Sequence, residues 1–468
     1  MSTTVSQTLA AFAATLRLED VPSAVNERAR YLALDALGIA LASSQKDFAR
    51  IALSGIQAIG DRGDCAVVGM GAQLTLRDAI LMNGLLVHGL DYDDTYLPGS
   101  IHLCATSVPT AFNMAAHRHA TGRELLAALI IGLEVGARVS QAGCGNIHKA
   151  GFHPTSVVGA FSSALVAARL LGLSQAQMTL AQGIALATAS GTVQPMQDGT
   201  WTKRFHPGWA AASGVVSAHM AQAGYTGPSL AYEGSMGFYN VFLGALSDQA
   251  QPFMVGAQLG NHWEFPNASI KLYPACHHLH AFVNAAREIR EQLGGRPLRV
   301  EEVASVHALV ASVAVPLVCE PAQEKFAPAS GYIAQFSLQF SIACGLVRGG
   351  FGLGELESCV RDDSALIELA RKVTYEVDPN SGFPKSRTGE VVVRLHDGRE
   401  LRVRNEILPQ EPASNEEIVA KFMENACMAV TPARARELCD LLIDLERQKD
   451  VGVLMQAFGQ VTSNQERA

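Results

Sequence analysis

Aromatic side chains are scarce in this sequence, 6% of 468 residues, and charged ones make up only 17%. With 48% hydrophobic residues, the chain is not disordered and can bury a large core. That core must be built mostly from Ala, Gly, Leu and Val, so tightly packed helices are expected. No run is rich in Lys or Arg, and the formal net charge is −8 from 36 basic and 44 acidic residues. A nucleic-acid partner needs a basic face, so none is expected. An anionic substrate is compatible, because a few local cations can outweigh the global charge. No basic, apolar leader opens the chain, and the apolar stretch Val157–Ala168 is cut by Arg169 before it could span a bilayer, so no membrane partner is expected. None of the nine cysteines forms a C-x-x-C pair. Reduced thiols and a cytoplasmic location follow as expectations. The sequence also lacks a G-x-G-x-x-G after a strand, a P-loop, a G-x-S-x-G elbow and an H-E-x-x-H pair. No organic cofactor is expected.

What is present reads first as helix. Asn26–Ser43 and Gly122–Val139 carry apolar residues at helical spacing, and Thr121 with Glu124 forms a capping box. Ser174 and Gln177 have the same form. The texture changes after Lys271: Val303–Val315 reads as a strand, Gln335–Val347 and Leu366–Val373 as helices. Val391–Leu395 and Glu400–Arg404 flank Asp397-Gly398, a hairpin signal. Helix returns through Glu416–Ala429 and Pro432–Phe458. The length suggests two domains. The expected fold is mainly α: a large all-helical domain, residues 1–271 and 406–468, with a smaller α+β domain inserted at 272–405. Two sequential domains with a C-terminal tail are the alternative.

Four polar clusters interrupt the apolar background. In His88-Gly-Leu-Asp91-Tyr-Asp93-Asp94-Thr95, followed by His102, three carboxylates within four residues need helix N-termini, a cation or hydrogen-bond donors to neutralise them. Asp93 and Asp94 acting only as helix caps is the structural alternative. Gly151-Phe152-His153-Pro154 places His153 just outside a helix start, a position that favours neutral imidazole. Lys203, Arg204 and His206 sit in a turn between helices, where Lys and Arg suit carboxylates. Lys271, Tyr273, Cys276, His277, His278 and His280 form the fourth cluster. His277 and His280 could share a helical face, but no second Cys/His group has zinc spacing, so no metal is expected.

At these clusters the sequence resembles the MmgE/PrpD family, from about Leu34 to Val430. The resemblance implies a helical domain and a smaller α+β domain, a homodimer, and a cleft that needs no cofactor. Asp91 and Thr95 match the family's D-x-D-D-T motif, His102 the histidine that follows it, and His153 the G-F-H-P histidine. Lys203, with His206 and Gly208, matches K-x-x-H-x-G; Lys271, with Tyr273, matches K-x-[FY]-P-A. Where the family's decarboxylases carry a histidine, an ungapped match gives Cys276, and a one-residue shift gives His277. Their active-site tyrosine would fall near Leu317. The resemblance thus implies a proton-transfer enzyme acting on a small di- or tricarboxylate, a dehydratase-like lyase or an epimerase. His102, His153, Lys203 and Lys271 are its expected catalytic residues. Asp91, Thr95, Arg204, His206, Tyr273, Cys276 and His277 are its expected substrate contacts. Alternatives are a cis-aconitate-type decarboxylase, a non-catalytic dicarboxylate-binding protein, and a metal-dependent hydrolase built on Asp91, Asp93 and His277–His280.

Overall fold

The computed structural model describes residues 3–383, 385–408 and 413–460. The remaining residues of the expected C-terminal return, 409–412 and 461–468, lie outside the described residues. The chain divides into two compact units, Met1–Ile270 with Ala413–Ala468, and Lys271–Pro412. Lys271, which the sequence reading left with the helices, therefore opens the second unit. The fold is mainly α, with a helical part that is discontinuous in sequence and an α+β part inserted into it.

In the first unit the site rests on α1 (Ser23–Ser44), α2 (Leu76–His88), α3 (Cys104–His117), α4 (Gly122–Ala142), α5 (Pro154–Leu170) and α6 (Thr202–Gln222). Also in the first unit, α9 (Asn415–Ala426) packs back on α1; the second unit, taken by itself, contains α7 (His277–Gln292) and α8 (Leu338–Arg348). The capping boxes read at Thr121 and Ser174 are both formed. One feature was missed: a short antiparallel ribbon of β1 (Arg62–Ala66) and β2 (Gln73–Leu74). Its five- and two-residue strands are too short to show an alternating pattern.

Small residues set the helix spacing. A Cβ on Gly208 of α6 would stand 2.1 Å from the Leu81 carbonyl oxygen of α2, and one on Gly84 of α2 would stand 2.6 Å from the Cα of Gly208. The two backbones touch, so no larger residue fits at the crossing. A Cβ on Gly214 would lie 2.6 Å from the Ala160 backbone, which locks α6 onto α5 in the same way. Residues 154–168 of α5 are all buried. These crossings bring the end of α2, the starts of α5 and α6, and the segment before α3 to one place.

Among the described residues, α4 is the helix long and apolar enough to cross a membrane, yet 94% of its apolar window is buried inside the protein. Its Glu134 and Arg138 pair at 2.5 Å within the core. It reads as a core helix.

The second unit holds a four-stranded sheet in the order β4-β3-β5-β6. The strands are β3 (Val303–Val310), β4 (Val373–Val377), β5 (Arg387–Leu395) and β6 (Glu400–Ile407). β3 runs parallel to β4 and antiparallel to β5, and β5–β6 is the hairpin expected around Asp397-Gly398, with Val391 opposite Val403. Gly398 adopts φ +89°, the reason glycine is needed there. Phe282, Val283 and Ile289 of α7 pack with Val306, Ala308, Val391 and Val393 into one core. The expected strand Val303–Val315 stops at Val310; the chain then turns, with Pro316 opening a one-turn π-helix. Val373, read as a helix end, starts β4. The expected helix Pro432–Phe458 is broken between Ile443 and Val451.

Candidate active site

The three carboxylates after α2 are neutralised in three different ways. Asp94 accepts hydrogen bonds from the backbone N–H groups of Leu103 and Cys104, both at 2.9 Å, and so caps α3. Burial first, and then Asp93 beside it, push its carboxyl up to about 6. Asp93 is fully buried and accepts from His88 Nδ1 at 2.9 Å. Asp91 pairs with Lys203 Nζ at 2.7 Å, joining the α2 exit to the start of α6. Asp91 does this with φ +50°, a left-handed conformation that costs a non-glycine residue energy. The capping alternative, raised for Asp93 and Asp94, thus holds for Asp94, whereas Asp93 pairs with His88 instead.

Lys421, on α9, fixes this loop from the far end of the sequence. Its Nζ lies 2.6 Å from Asp35 Oδ1, donates to the Tyr92 carbonyl at 2.9 Å and sits 3.8 Å from the centroid of the Tyr92 ring. Asp35 and Lys421 are both buried, and burial raises the Asp35 pKa although Lys421 opposes the shift.

Four histidines gather around the loop. His102 has Nδ1 2.7 Å from the Asp94 carbonyl oxygen. A carbonyl only accepts, so Nδ1 carries the proton and Nε2, 4.0 Å from Asp91 Oδ1, has the lone pair in the neutral ring. The His102 backbone N–H donates to Thr155 Oγ1 at 3.0 Å, tying it to α5. His153 is the N-cap of α5, at the helix start read from Gly151-Phe152-His153-Pro154, and its Nδ1 lies 3.3 Å from His206 Nδ1. Burial first, then the Lys203 charge, hold His153 well below the ordinary histidine range, and His206 is pushed down to about 4 by burial and by His88 and Lys203. Both rings are neutral at pH 7. The Nε2 atoms of His88 and His153 are buried without a hydrogen-bond partner. A buried imidazole nitrogen left open in this way is suited to a substrate proton.

The structure therefore brings Asp91, His102, His153, Lys203 and His206 together, and adds Asp93, read from the sequence as a helix cap or a metal ligand, and His88, which was given no role. Thr95 lies next to them, its backbone paired with Ser269. Arg204 is turned onto Phe48, its guanidinium carbon 4.4 Å from the ring centroid. In the second unit, Tyr273 donates to Asn284 Oδ1 at 2.7 Å, and Cys276 is the N-cap of α7. His277 and His280 do share a helical face, with ring centroids 4.8 Å apart. Lys271 is buried.

Metal-compatible groupings among the described residues fall elsewhere than in the His277–His280 cluster. His88, His102 and His153 offer nitrogens within 4.8 Å of one another, as do the ligand atoms of His88, Asp91, Asp93 and His102, and of Asp64, Cys65 and His117.

Comparison with known proteins agrees along most of the chain. The model of the MmgE/PrpD N-terminal domain matches residues 7–250, and that of the C-terminal domain matches residues 273–445. A cis-aconitate decarboxylase of Aspergillus terreus is 27% identical over 97% of this chain and 95% of its own length. The human cis-aconitate decarboxylase is 27% identical over 94% of this chain and 91% of its own. The cis-aconitate decarboxylase-like protein oryM of Aspergillus oryzae is 26% identical over 94% of each. With both of its domains matched in order and the histidine–lysine cluster assembled at the helix ends, this chain belongs to the MmgE/PrpD family.

Proposed function

We propose that the protein is an enzyme that moves protons on a small di- or tricarboxylate, as a dehydratase-like lyase or an epimerase, without a cofactor. The observation that carries this reading is the pair of buried imidazoles His102 and His153, the latter held neutral, beside the Lys203–Asp91 pair. A proton next to a carboxylate is weakly acidic, and its removal leaves an enediolate-like charge that must be stabilised. A neutral imidazole with an open lone pair takes that proton; the Lys203 ammonium answers the charge. Asp91 holds Lys203 in place before substrate arrives. If the substrate carries a leaving group at the next carbon, elimination follows. If it does not, return of a proton to the opposite face inverts the centre. Lys271, Tyr273, Cys276 and His277 are proposed as further substrate contacts, as the resemblance implies.

The names of the relatives favour a second reading, cis-aconitate decarboxylation. In that reading the C–C bond to a carboxylate breaks, CO2 leaves, and an imidazolium delivers a proton to the carbon. Against it stand Cys276, where an ungapped match calls for a histidine that only a one-residue shift supplies as His277, and the residues around Leu317, near which the tyrosine would fall.

A proton NMR screen of small di- and tricarboxylates in deuterated water tests all readings at once. Exchange with water loss or inversion supports the first, CO2 release with deuterium incorporation supports the second, and binding with no exchange reduces the protein to a carboxylate binder.

We also propose a homodimer in a reducing, cytoplasmic setting. Trp201, Phe205 and Trp209 form an exposed aromatic stripe along the start of α6, and all nine cysteines are free. Exposed aromatic patches of this kind mark interfaces.

A further inference from the structure

β1 is bent where it carries its polar side chains. Its pairing with β2 slips between Arg62 and Cys65, the mark of a bulge. Gly63 makes room for the bend: a Cβ there would stand 2.1 Å from the Leu74 carbonyl oxygen. On a regular strand, neighbours such as Asp64 and Cys65 point to opposite faces. Here both turn to one place, and Cys65 Sγ lies 3.6 Å from Asp64 Oδ1. His117, the last residue of α3, meets them there, its Nδ1 4.0 Å from the same sulfur.

Three ligand atoms of different kinds, one each from Asp64, Cys65 and His117, thus lie within 4.8 Å of one another. A tetrahedral zinc ion has bonds of about 2.3 Å to sulfur and about 2.0–2.2 Å to nitrogen or oxygen, which puts the sulfur about 3.5–3.7 Å from its companions. The observed 3.6 and 4.0 Å are close to that before any cation draws the groups in. Cys65 is buried, whereas Asp64 and His117 are exposed, so the trio is open to solvent on one side. A hollow of about 110 Å³, lined also by Asn113, Met455 and Gln456, leaves room for a water or a side-chain oxygen as fourth ligand. The C-terminal end of α3 adds the negative pole of its dipole, which favours a cation. His119, two residues on, is held by Asp450 at 3.0 Å and stays outside the set. Mixed sulfur, nitrogen and oxygen donors suit zinc rather than calcium or magnesium, which take oxygen ligands. Without a cation, burial and the Asp64 charge push the Cys65 thiol up to about 12, so it carries a proton that a bound metal displaces to solvent.

We infer that Asp64, Cys65 and His117 form a site for a zinc-class divalent cation, which staples the β1–β2 ribbon to the end of α3. A two-stranded ribbon is marginal on its own, and metal binding adds directly to folding stability. The site shares no residue with the proton-transfer cluster, so the inference does not depend on the reaction, and the reaction draws no metal from it. Cys65 and His117 stand 52 residues apart, a separation that no short ligand motif marks.

Cobalt(II) serves as the visible probe in place of zinc, titrated into the EDTA-treated full-length protein. The wild type should develop a thiolate-to-cobalt charge-transfer band that saturates at one cobalt per chain. Cys65→Ser should lose the band. Asp64→Asn and His117→Ala should move its midpoint to at least about 10-fold more cobalt, since even an outer-shell partner is worth about 10- to 100-fold in metal affinity. Zinc should raise the melting temperature of the wild type by more than that of Cys65→Ser; an equal rise would overturn the role as a staple. Should Cys65→Ser fail to fold, His117→Ala, changed at an exposed residue, carries the comparison. Cobalt bound without the charge-transfer band, as the nitrogens of His88, His102 and His153 would bind it, would overturn the inference. So would a wild type that binds no cobalt at millimolar concentration, or a band of unchanged midpoint in folded Cys65→Ser or His117→Ala.

Discussion

In the helical unit each carboxylate of the 91–94 loop has an answering donor, whereas in the α+β unit Arg387 and Lys325 are buried with no carboxylate in ion-pair reach among the described residues. The first arrangement is organised before substrate arrives: tautomers are set, Lys203 is held, and two imidazole nitrogens are left open. In the second, the Leu317 carbonyl answers Lys325 and the Arg387 Nε is left without a partner. Paired groups with open nitrogens suit proton transfer. The contrast makes the two regions separable by mutation.

The largest effect is expected in the paired region. His102→Ala and His153→Ala should each lower kcat by about 10²–10⁴-fold, the usual contribution of a positioned acid or base, with little change in KM. Steady-state kinetics, with melting curves to show that the variants fold, checks this. If His153 served only to start α5, its alanine variant would lose stability and keep its turnover.

Next comes the support of the same loop. Lys421→Met leaves Asp35 buried without its partner and frees the Tyr92 carbonyl, so a loss of about 3–5 kcal/mol of stability is expected. Denaturant melts measure it, and a variant as stable as the wild type would remove α9 from the account of the site.

A smaller and mixed effect is expected of Lys203→Ala, which should lower kcat and raise KM together, by about 10- to 100-fold in kcat/KM. Lys203→Arg should rescue only in part, since a planar fork does not replace a compact ammonium against Asp91. A change confined to kcat would show that Lys203 does not touch the ground-state substrate.

The smallest effect is in the pH dependence of stability. His153, His206 and His278 have folded pKa values below their ordinary ones, so their contribution is present above about pH 6.5 and lost as pH falls through the folded values, about 4 for His206 and His278. Asp94 has the opposite sign: raised to about 6, it adds stability at low pH that is lost as pH rises through 6. Burial also lowers His148 and raises Asp35 and Glu134, so four histidines oppose three carboxylates, and a small fall in melting temperature is expected between pH 6.5 and 4. The double substitution His206→Gln with His278→Gln should flatten that slope.

Much of this was legible in the sequence, and for physical reasons. The helical periodicity of Asn26–Ser43 and Gly122–Val139, the Thr121 and Ser174 capping boxes and the Asp397-Gly398 turn are local signals, and these formed where they were read. The clustering of His, Asp and Lys against an apolar background marked the residues that the Gly84–Gly208 crossing later brings together. What escaped was non-local. His88 looked like an ordinary member of a polar run until its buried pairing with Asp93 was seen. Lys421 is a lone lysine on an amphipathic helix, more than 300 residues from Tyr92. Arg387 opens a strand, and only the pairing of Asp378 with Arg404 and of Glu390 with Arg402 shows its Nε to be unanswered. The short β1–β2 ribbon and the end of β3 at Val310 were lost because strands of this length carry too little pattern.

The most direct test of the central claim, that neutral histidines beside Lys203 move a proton on a polycarboxylate, is solvent exchange followed by proton NMR in deuterated water. The wild-type protein should exchange, eliminate or invert a C–H next to a carboxylate in at least one di- or tricarboxylate, and folded His102→Ala and His153→Ala should do so at least 100-fold more slowly, as about 10²–10⁴-fold per acid–base group implies. No exchange with any of these compounds, or undiminished exchange in both variants, would contradict it.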